Sequence, residues 1–182
     1  MNEAQAIKDK KTLNELLDVY EPYSKEQILL EYCLYTGLRI SDVLSAKVGE
    51  SLAGVRRLKE QKTGKSKTIK LNNKLVNSIS IYANNNNLND DDYLFFSSRN
   101  RAEHIKRSRA SKIIAKAGDM IGIVCSAHSL RKTFGYLAYK NGTSIELLMQ
   151  IFNHSSQSVT LRYIGITQEN INEVYDSINI SF

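Results

Sequence analysis

Two arginines, two histidines and a tyrosine stand at spacings suited to one kind of chemistry. His128 and Arg131 are three apart in Ala127-His128-Ser129-Leu130-Arg131-Lys132, and His154 and Tyr163 are nine apart nearer the C-terminus. Arg39 lies upstream, in Thr36-Gly37-Leu38-Arg39-Ile40-Ser41-Asp42. A tyrosine can attack phosphorus and stay attached, because its phenolate is also a workable leaving group for the reverse step. With a usual pKa of about 10, it needs help to lose its proton. The developing charge on the non-bridging oxygens suits the planar donor fork of arginine. A departing alkoxide needs a proton from a general acid. Cationic side chains can supply the field for all of this, so the set can attack a phosphodiester without a metal.

The elements that must position these residues are mostly helical. Leu13, Leu16, Leu17 and Tyr20 recur at helical spacing, with Asp9 or Thr12 as caps. Ser24, followed by Glu26 and Gln27, opens a second helix through Tyr35, and Gly37 is its stop. A short third helix begins at Ser41. Residues 52–71 change character: Val55, Leu58, Thr68, Ile69 and Leu71 suggest strands, and Gln61-Lys62-Thr63-Gly64-Lys65 reads as a hairpin turn. A helix through Leu75, Val76, Ile79 and Tyr82 leads into a polar loop. The apolar piece Tyr93–Phe96 follows it. The stretch from Ile105 to about Ile121 is helical and basic, with Lys106, Arg107, Arg109, Lys112 and Lys116. Helices around Leu130–Tyr139, Ile145–Phe152, Val159–Tyr163 and Glu169–Ser177 complete the reading. His104 reads as a surface residue.

Composition narrows the partners only weakly. The chain has 182 residues, enough for one large domain, and 42% of them are hydrophobic, enough for an ordinary core. Lys and Arg number 25 against 19 Asp and Glu, for a net charge of +6. That surplus favours a polyanion without identifying it as nucleic acid. Cys33 and Cys125 lack metal-ligand spacing and read as reduced, buried thiols. Two histidines without a suitable carboxylate or cysteine nearby make a poor zinc site. The charged N-terminus has no apolar segment of a secretory signal. No apolar run approaches the roughly 18 residues needed to span a bilayer, so no membrane partner is expected.

These motifs together resemble the catalytic domain of the tyrosine recombinases, the phage integrase family, from about Thr12 to about Ser177. The resemblance implies a mainly α fold with a small antiparallel β-sheet or hairpin. It assigns Tyr163 as nucleophile among ten tyrosines. Tyr175 is the nearby competitor and lies outside the motif. Arg39 and Arg131 would grip the scissile phosphate, with Asp42 orienting Arg39. His128 would be the proton acceptor or a phosphate-binding group, and His154 the second hydrogen-bonding position. The His-x-x-Arg pattern is intact. Lys132 stands where a second histidine often follows it. Asn153 stands where glycine is common before the later histidine, and asparagine tolerates a left-handed backbone. The family's general-acid lysine sits on a hairpin, which implies Lys62, with Lys65 as the alternative among Lys59, Lys67 and Lys70.

The function so implied is site-specific DNA recombination through a 3′-phosphotyrosine intermediate. No cofactor and no metal are implied. The partner would be double-stranded DNA, with a homo-tetramer on DNA, a monomer when free, and an accessory DNA-bending protein as a further partner. The catalytic domain would fill 1–182, without the N-terminal core-binding domain usual in the family, and the tail 167–182 would be exchanged between protomers. A cytoplasmic site of action, bacterial or phage-encoded, follows. Two rivals share the fold: a type IB topoisomerase-like nicking-closing enzyme, and a DNA-binding regulator that does not cleave. The basic run from Ile105 to Lys116 could track the DNA backbone or simply be a solvated helix face.

Overall fold

The computed structural model describes residues 4–59, 66–166, 172 and 175–178. Among them the order is α1 (Lys10–Leu17), α2 (Lys25–Thr36), α3 (Ile40–Leu44), α4 (Val48–Leu52), β1 (Val55–Lys59), β2 (Ser66–Lys70) and α5 (Asn73–Asn85). There follow β3 (Phe96–Ser97), β4 (Asn100–His104), α6 (Arg107–Met120), α7 (Ala127–Lys140), α8 (Ile145–Phe152) and α9 (Gln157–Ile164). The expected mainly α fold with small antiparallel sheets is what forms.

Local chemistry starts and stops the helices. Asp9 caps α1, its carboxylate accepting from the Thr12 N–H at 2.7 Å, and Ser24 caps α2. Gly37 ends α2 at φ +57°, a conformation in which only glycine is free of Cβ strain. Ser126 and Ser129 form a reciprocal capping box at the start of α7. Asn153 ends α8 at φ 58°, and the His154 N–H closes the turn onto the Met149 carbonyl at 2.9 Å. The asparagine therefore does what glycine would do at this turn.

Helix α2 is apolar nearly all round, with Ile28, Leu29, Leu30, Tyr32, Cys33 and Leu34 buried. Such a helix belongs at the centre of a core, and α1, α3, α5, α6 and α7 pack around it. Cys33 and Cys125 are free and buried, and burial pushes both thiols up to about 12. A second apolar cluster, Tyr136, Leu148, Phe152 and Ile164, joins α7, α8 and α9.

Three features depart from the expectations. Helix α4 was not foreseen. Neither was the β3–β4 pair, which registers Phe96 with His104. Its sequence has no apolar alternation; Phe96 is held instead by the Lys25 ammonium, 3.6 Å from its ring centroid. His104 is part-buried rather than a surface residue, its ring edge-to-face with Tyr93 at 5.2 Å. The expected Glu169–Ser177 helix falls largely outside the described residues.

Gly135 sits where α7, α8 and α9 converge. A Cβ there would lie 2.6 Å from the Phe152 ring and 2.7 Å from Ile164. Gly135→Ala is expected to lower stability by about 1–3 kcal/mol through overpacking. The measurement is the urea midpoint, which falls while the m-value stays constant.

Candidate active site

Arg131 is 7% exposed, and its guanidinium donates to the Gly37 carbonyl at the end of α2. It is also hydrogen-bonded to the Tyr163 hydroxyl, and its Cζ lies 4.8 Å from the Phe152 ring centroid. A carbonyl and a phenol engage some of its donors, and an aromatic face lies under it, without neutralising the charge. Among the described residues Arg131 makes no ion pair with a carboxylate. Burial opposes its charge most, the Tyr163 hydroxyl favours it, and Arg39 opposes it. Guanidinium nonetheless stays protonated in proteins. The result is a desolvated cation able to receive an anion.

Arg39 is the N-cap residue of α3 and is exposed. The Gly37 turn brings it beside Arg131, close enough for the two charges to influence each other. This junction is tight: a Cβ on Gly37 would lie 2.3 Å from the Phe134 ring on α7. The expected orienting contact from Asp42 to Arg39 does not form. No ion pair joins them among the described residues, and the Asp42 carboxylate acts electrostatically on Arg131 instead.

Tyr163 lies on α9, half-buried, with its ring 5.2 Å from Phe152 and 5.0 Å from His154. Burial raises its pKa above the usual phenol value. The charge and hydrogen bond of Arg131, and then Arg39, oppose that rise. The phenol is therefore protonated at neutral pH and needs a base. His128 lies on the exposed side of α7 and shares with Tyr163 a groove of about 420 Å³, which Ala4, Lys132, Val159 and Arg162 complete. Lys132 and His128 are four apart, on one helix face. The Lys132 ammonium lies 5.6 Å from the Tyr163 ring centroid.

His154 lies tilted over Phe152 and edge-to-face with Tyr163, and its Nδ1 is 3.0 Å from the Thr160 hydroxyl. Thr160 Oγ1 is also 3.2 Å from the Ser156 carbonyl, so its one proton can serve either acceptor. Donated to Nδ1, that proton fixes the tautomer that carries N–H on Nε2.

The fold thus gathers Arg39, Arg131, His154 and Tyr163, with His128 across the shared groove. Lys62 and Lys65 lie outside the described residues. Sequence reasoning missed the Gly37 carbonyl, the Phe152 ring and the Thr160 hydroxyl as supports. Thr160 carries a weak signal, lying three before Tyr163, one helical turn away on α9. Among the described residues no cluster of His, Cys, Asp or Glu could hold a metal ion. No helix there is long and apolar enough to cross a membrane.

The model of the phage integrase family matches residues 8–170. A probable integrase/recombinase, YoeC of Bacillus subtilis strain 168, is 34% identical over 154 residues, covering 83% of each chain. Tyrosine recombinase XerA of Pyrococcus furiosus is 27% identical over 176 residues, which are 93% of this chain but 61% of XerA. Among solved structures, XerA recombinase aligns with all of this chain and 66% of its own at TM-score 0.77 and 20% identity. The catalytic domain of bacteriophage HP1 integrase aligns over 95% of both chains at TM-score 0.58 and 18% identity. The post-cleavage complex of XerH site-specific recombinase with a palindromic difH substrate aligns with 97% of this chain and 54% of XerH at TM-score 0.72 and 18% identity. The chain belongs to the phage integrase family, and the relatives named here are integrases and recombinases.

The His154 pKa is held below its usual 6.5 by burial first, then by Arg131 and Arg39. Because the folded-state value lies below the unfolded one, the unfolded chain takes up the proton first as pH falls. His154 therefore subtracts stability as pH drops below about 6.5. An NMR titration should place its midpoint below 6.5, and Arg39→Gln should raise it. A midpoint at or above 6.5 would contradict this electrostatic picture.

Proposed function

We propose that this chain cuts and rejoins double-stranded DNA at specific sites, with Tyr163 as the nucleophile. The observation that carries this reading is the convergence on one buried ring, Phe152, of a buried unneutralised arginine, a histidine and a tyrosine. The scissile phosphate enters against Arg131 and Arg39, which hold its non-bridging oxygens. His154 donates from Nε2 to the same phosphate. His128 accepts the Tyr163 proton or holds the phosphate from the groove side. The phenolate oxygen bonds to phosphorus, the bond from phosphorus to the 5′-oxygen breaks, and a hairpin lysine, Lys62, gives that oxygen its proton. A 5′-hydroxyl from the partner duplex then attacks the 3′-phosphotyrosine and returns the proton balance to the start. Each step exchanges one ester for another, so no nucleotide cofactor is needed.

Binding rests mainly on phosphate contacts in this reading. Lys106, Arg107, Arg109, Lys112 and Lys116 are all exposed on α6 or its N-cap, opposite buried Ala110, Ile113, Ile114 and Ala117. That arrangement suits tracking a backbone. The assembly would be a tetramer on two duplexes, with the C-terminal tail passed between protomers. Tyr175 and Ile178 are 72% and 59% exposed, as residues awaiting a partner surface would be.

The nucleophile is tested with a nicked suicide substrate that traps the covalent adduct. Tyr163→Phe should abolish the adduct and leave DNA affinity almost unchanged. An adduct that persists, or that maps to Tyr175 by mass spectrometry, would overturn the assignment. A site-independent relaxation of supercoiled plasmid would favour the topoisomerase reading.

A further inference from the structure

Residues 4–8 form a strap outside any helix or strand that runs beside the nucleophile's helix. Side chains and backbone fasten it to both cores. Ile7 is 8% exposed and enters the larger core, while Ala6 packs against the smaller one. The Ile7 N–H donates to Thr133 Oγ1 on α7 at 2.8 Å. Thr133 is fully buried, and its hydroxyl donates in turn to the Ser129 carbonyl at 2.8 Å. Lys8 Nζ then donates to the Gly165 carbonyl at 2.6 Å, with the ammonium 5.4 Å from the Tyr136 ring centroid. Ala4, at the other end of the strap, lines the groove that holds His128 and Tyr163.

Gly165 ends α9 at φ 78°, two residues after Tyr163. The Gly165 N–H bonds to the Arg162 carbonyl at 3.1 Å and the Ile166 N–H to the Leu161 carbonyl at 2.9 Å. These bonds fix the shape of the last turn and leave its place in the molecule to other contacts. On its inner side α9 is held by Thr160 and Ile164, both fully buried. They are four apart and share one face, so the turn can still roll about that face. Tyr163 lies beside it and would move with any roll. Lys8 grips the turn from outside the helix, where a cation also suits the negative end of the helix dipole. Being exposed, Lys8 adds little to global stability. Its root is fixed by Ile7 and Thr133, so its reach to Gly165 is set in advance.

We propose that the strap is a clasp for α9, with Lys8 as a positioning residue. Its bond to Gly165 holds the last turn of α9 where the Tyr163 hydroxyl meets Arg131. This inference rests on the reading of Tyr163 as the nucleophile.

The test uses the full chain and the nicked suicide substrate at saturating DNA. Lys8→Met keeps an unbranched stem beside Tyr136 and loses the donor. It should slow single-turnover adduct formation about tenfold, short of the roughly 10²-fold that an ångström of misplacement can cost. DNA affinity and the urea midpoint should stay near those of the unaltered protein. Amide exchange should quicken in the last turn of α9 and not in α8. Lys8→Arg restores a cationic donor and should recover most of the rate. Thr133→Val leaves the Ile7 N–H unpaired and should slow adduct formation with Lys8 still in place. An unchanged rate in Lys8→Met, or slowing that Lys8→Arg does not reverse, would overturn the proposal. So would a loss confined to DNA affinity, since Lys8 would then be a phosphate contact. Tyr163→Phe keeps the two readings apart. If its adduct persists, the nucleophile reading fails whatever Lys8 does. If its adduct is lost while Lys8→Met reacts at full rate, the clasp alone fails.

Discussion

A guanidinium buried without an ion pair among the described residues is the constraint around which the rest of this molecule is arranged. Removing a cation from water is costly unless every donor finds a partner. Arg131 meets part of that demand with a backbone carbonyl and a phenol, lays its flat face over an aromatic ring, and keeps donors for an incoming anion. A carboxylate in their place would stabilise the resting protein and cancel the field that an anionic phosphate is to feel. The same arrangement makes the neighbours interdependent. Gly37 must be glycine for its carbonyl to reach Arg131 from a left-handed turn, and Phe134 closes over the space a side chain would need.

Two cores meet at this point. The larger one is organised by α2, and its C-terminal end delivers Gly37 and then Arg39. The smaller one, under α7, α8 and α9, delivers Phe152, His154 and Tyr163. Helix α7 belongs to both, presenting Leu130 to the first, Tyr136 to the second, and Arg131 between them. A shift of one core against the other would separate the arginines from the tyrosine. Close packing at Gly135 resists such a shift, because interiors packed at this density transmit displacement rather than absorb it.

Much of this was legible in the sequence, for reasons that differ by element. Caps were readable because Ser24 and Gly37 have strong local preferences that tertiary structure did not override. The gathering of Arg39, Arg131, His154 and Tyr163 followed from motif spacing and from the resemblance it supports. Helix α4 was hidden because five residues carry too little periodicity to announce a helix. The β3–β4 pair was hidden because cations over Phe96, not alternating apolar side chains, hold it in place. His104 misled for a similar reason: its partner Tyr93 is eleven residues away, beyond any local pattern. In place of the supposed Asp42–Arg39 contact the Asp42 carboxylate acts on Arg131, a partner 89 residues away that no local spacing encodes.

Substitutions within the motifs show which parts of the pattern are physical requirements. Asn153 replaces a common glycine and keeps the left-handed turn, so the requirement there is a backbone conformation. Lys132 replaces a common histidine, and its ammonium still reaches the ring of Tyr163 from the helix that holds Arg131. That face of α7 therefore presents a permanent positive charge to Tyr163. Arg131 admits no such exchange, because lysine has neither the planar fork that spans Gly37 and Tyr163 nor the flat face that lies over Phe152. The residues with least freedom are thus those whose shape, as well as charge, is used by two cores at once.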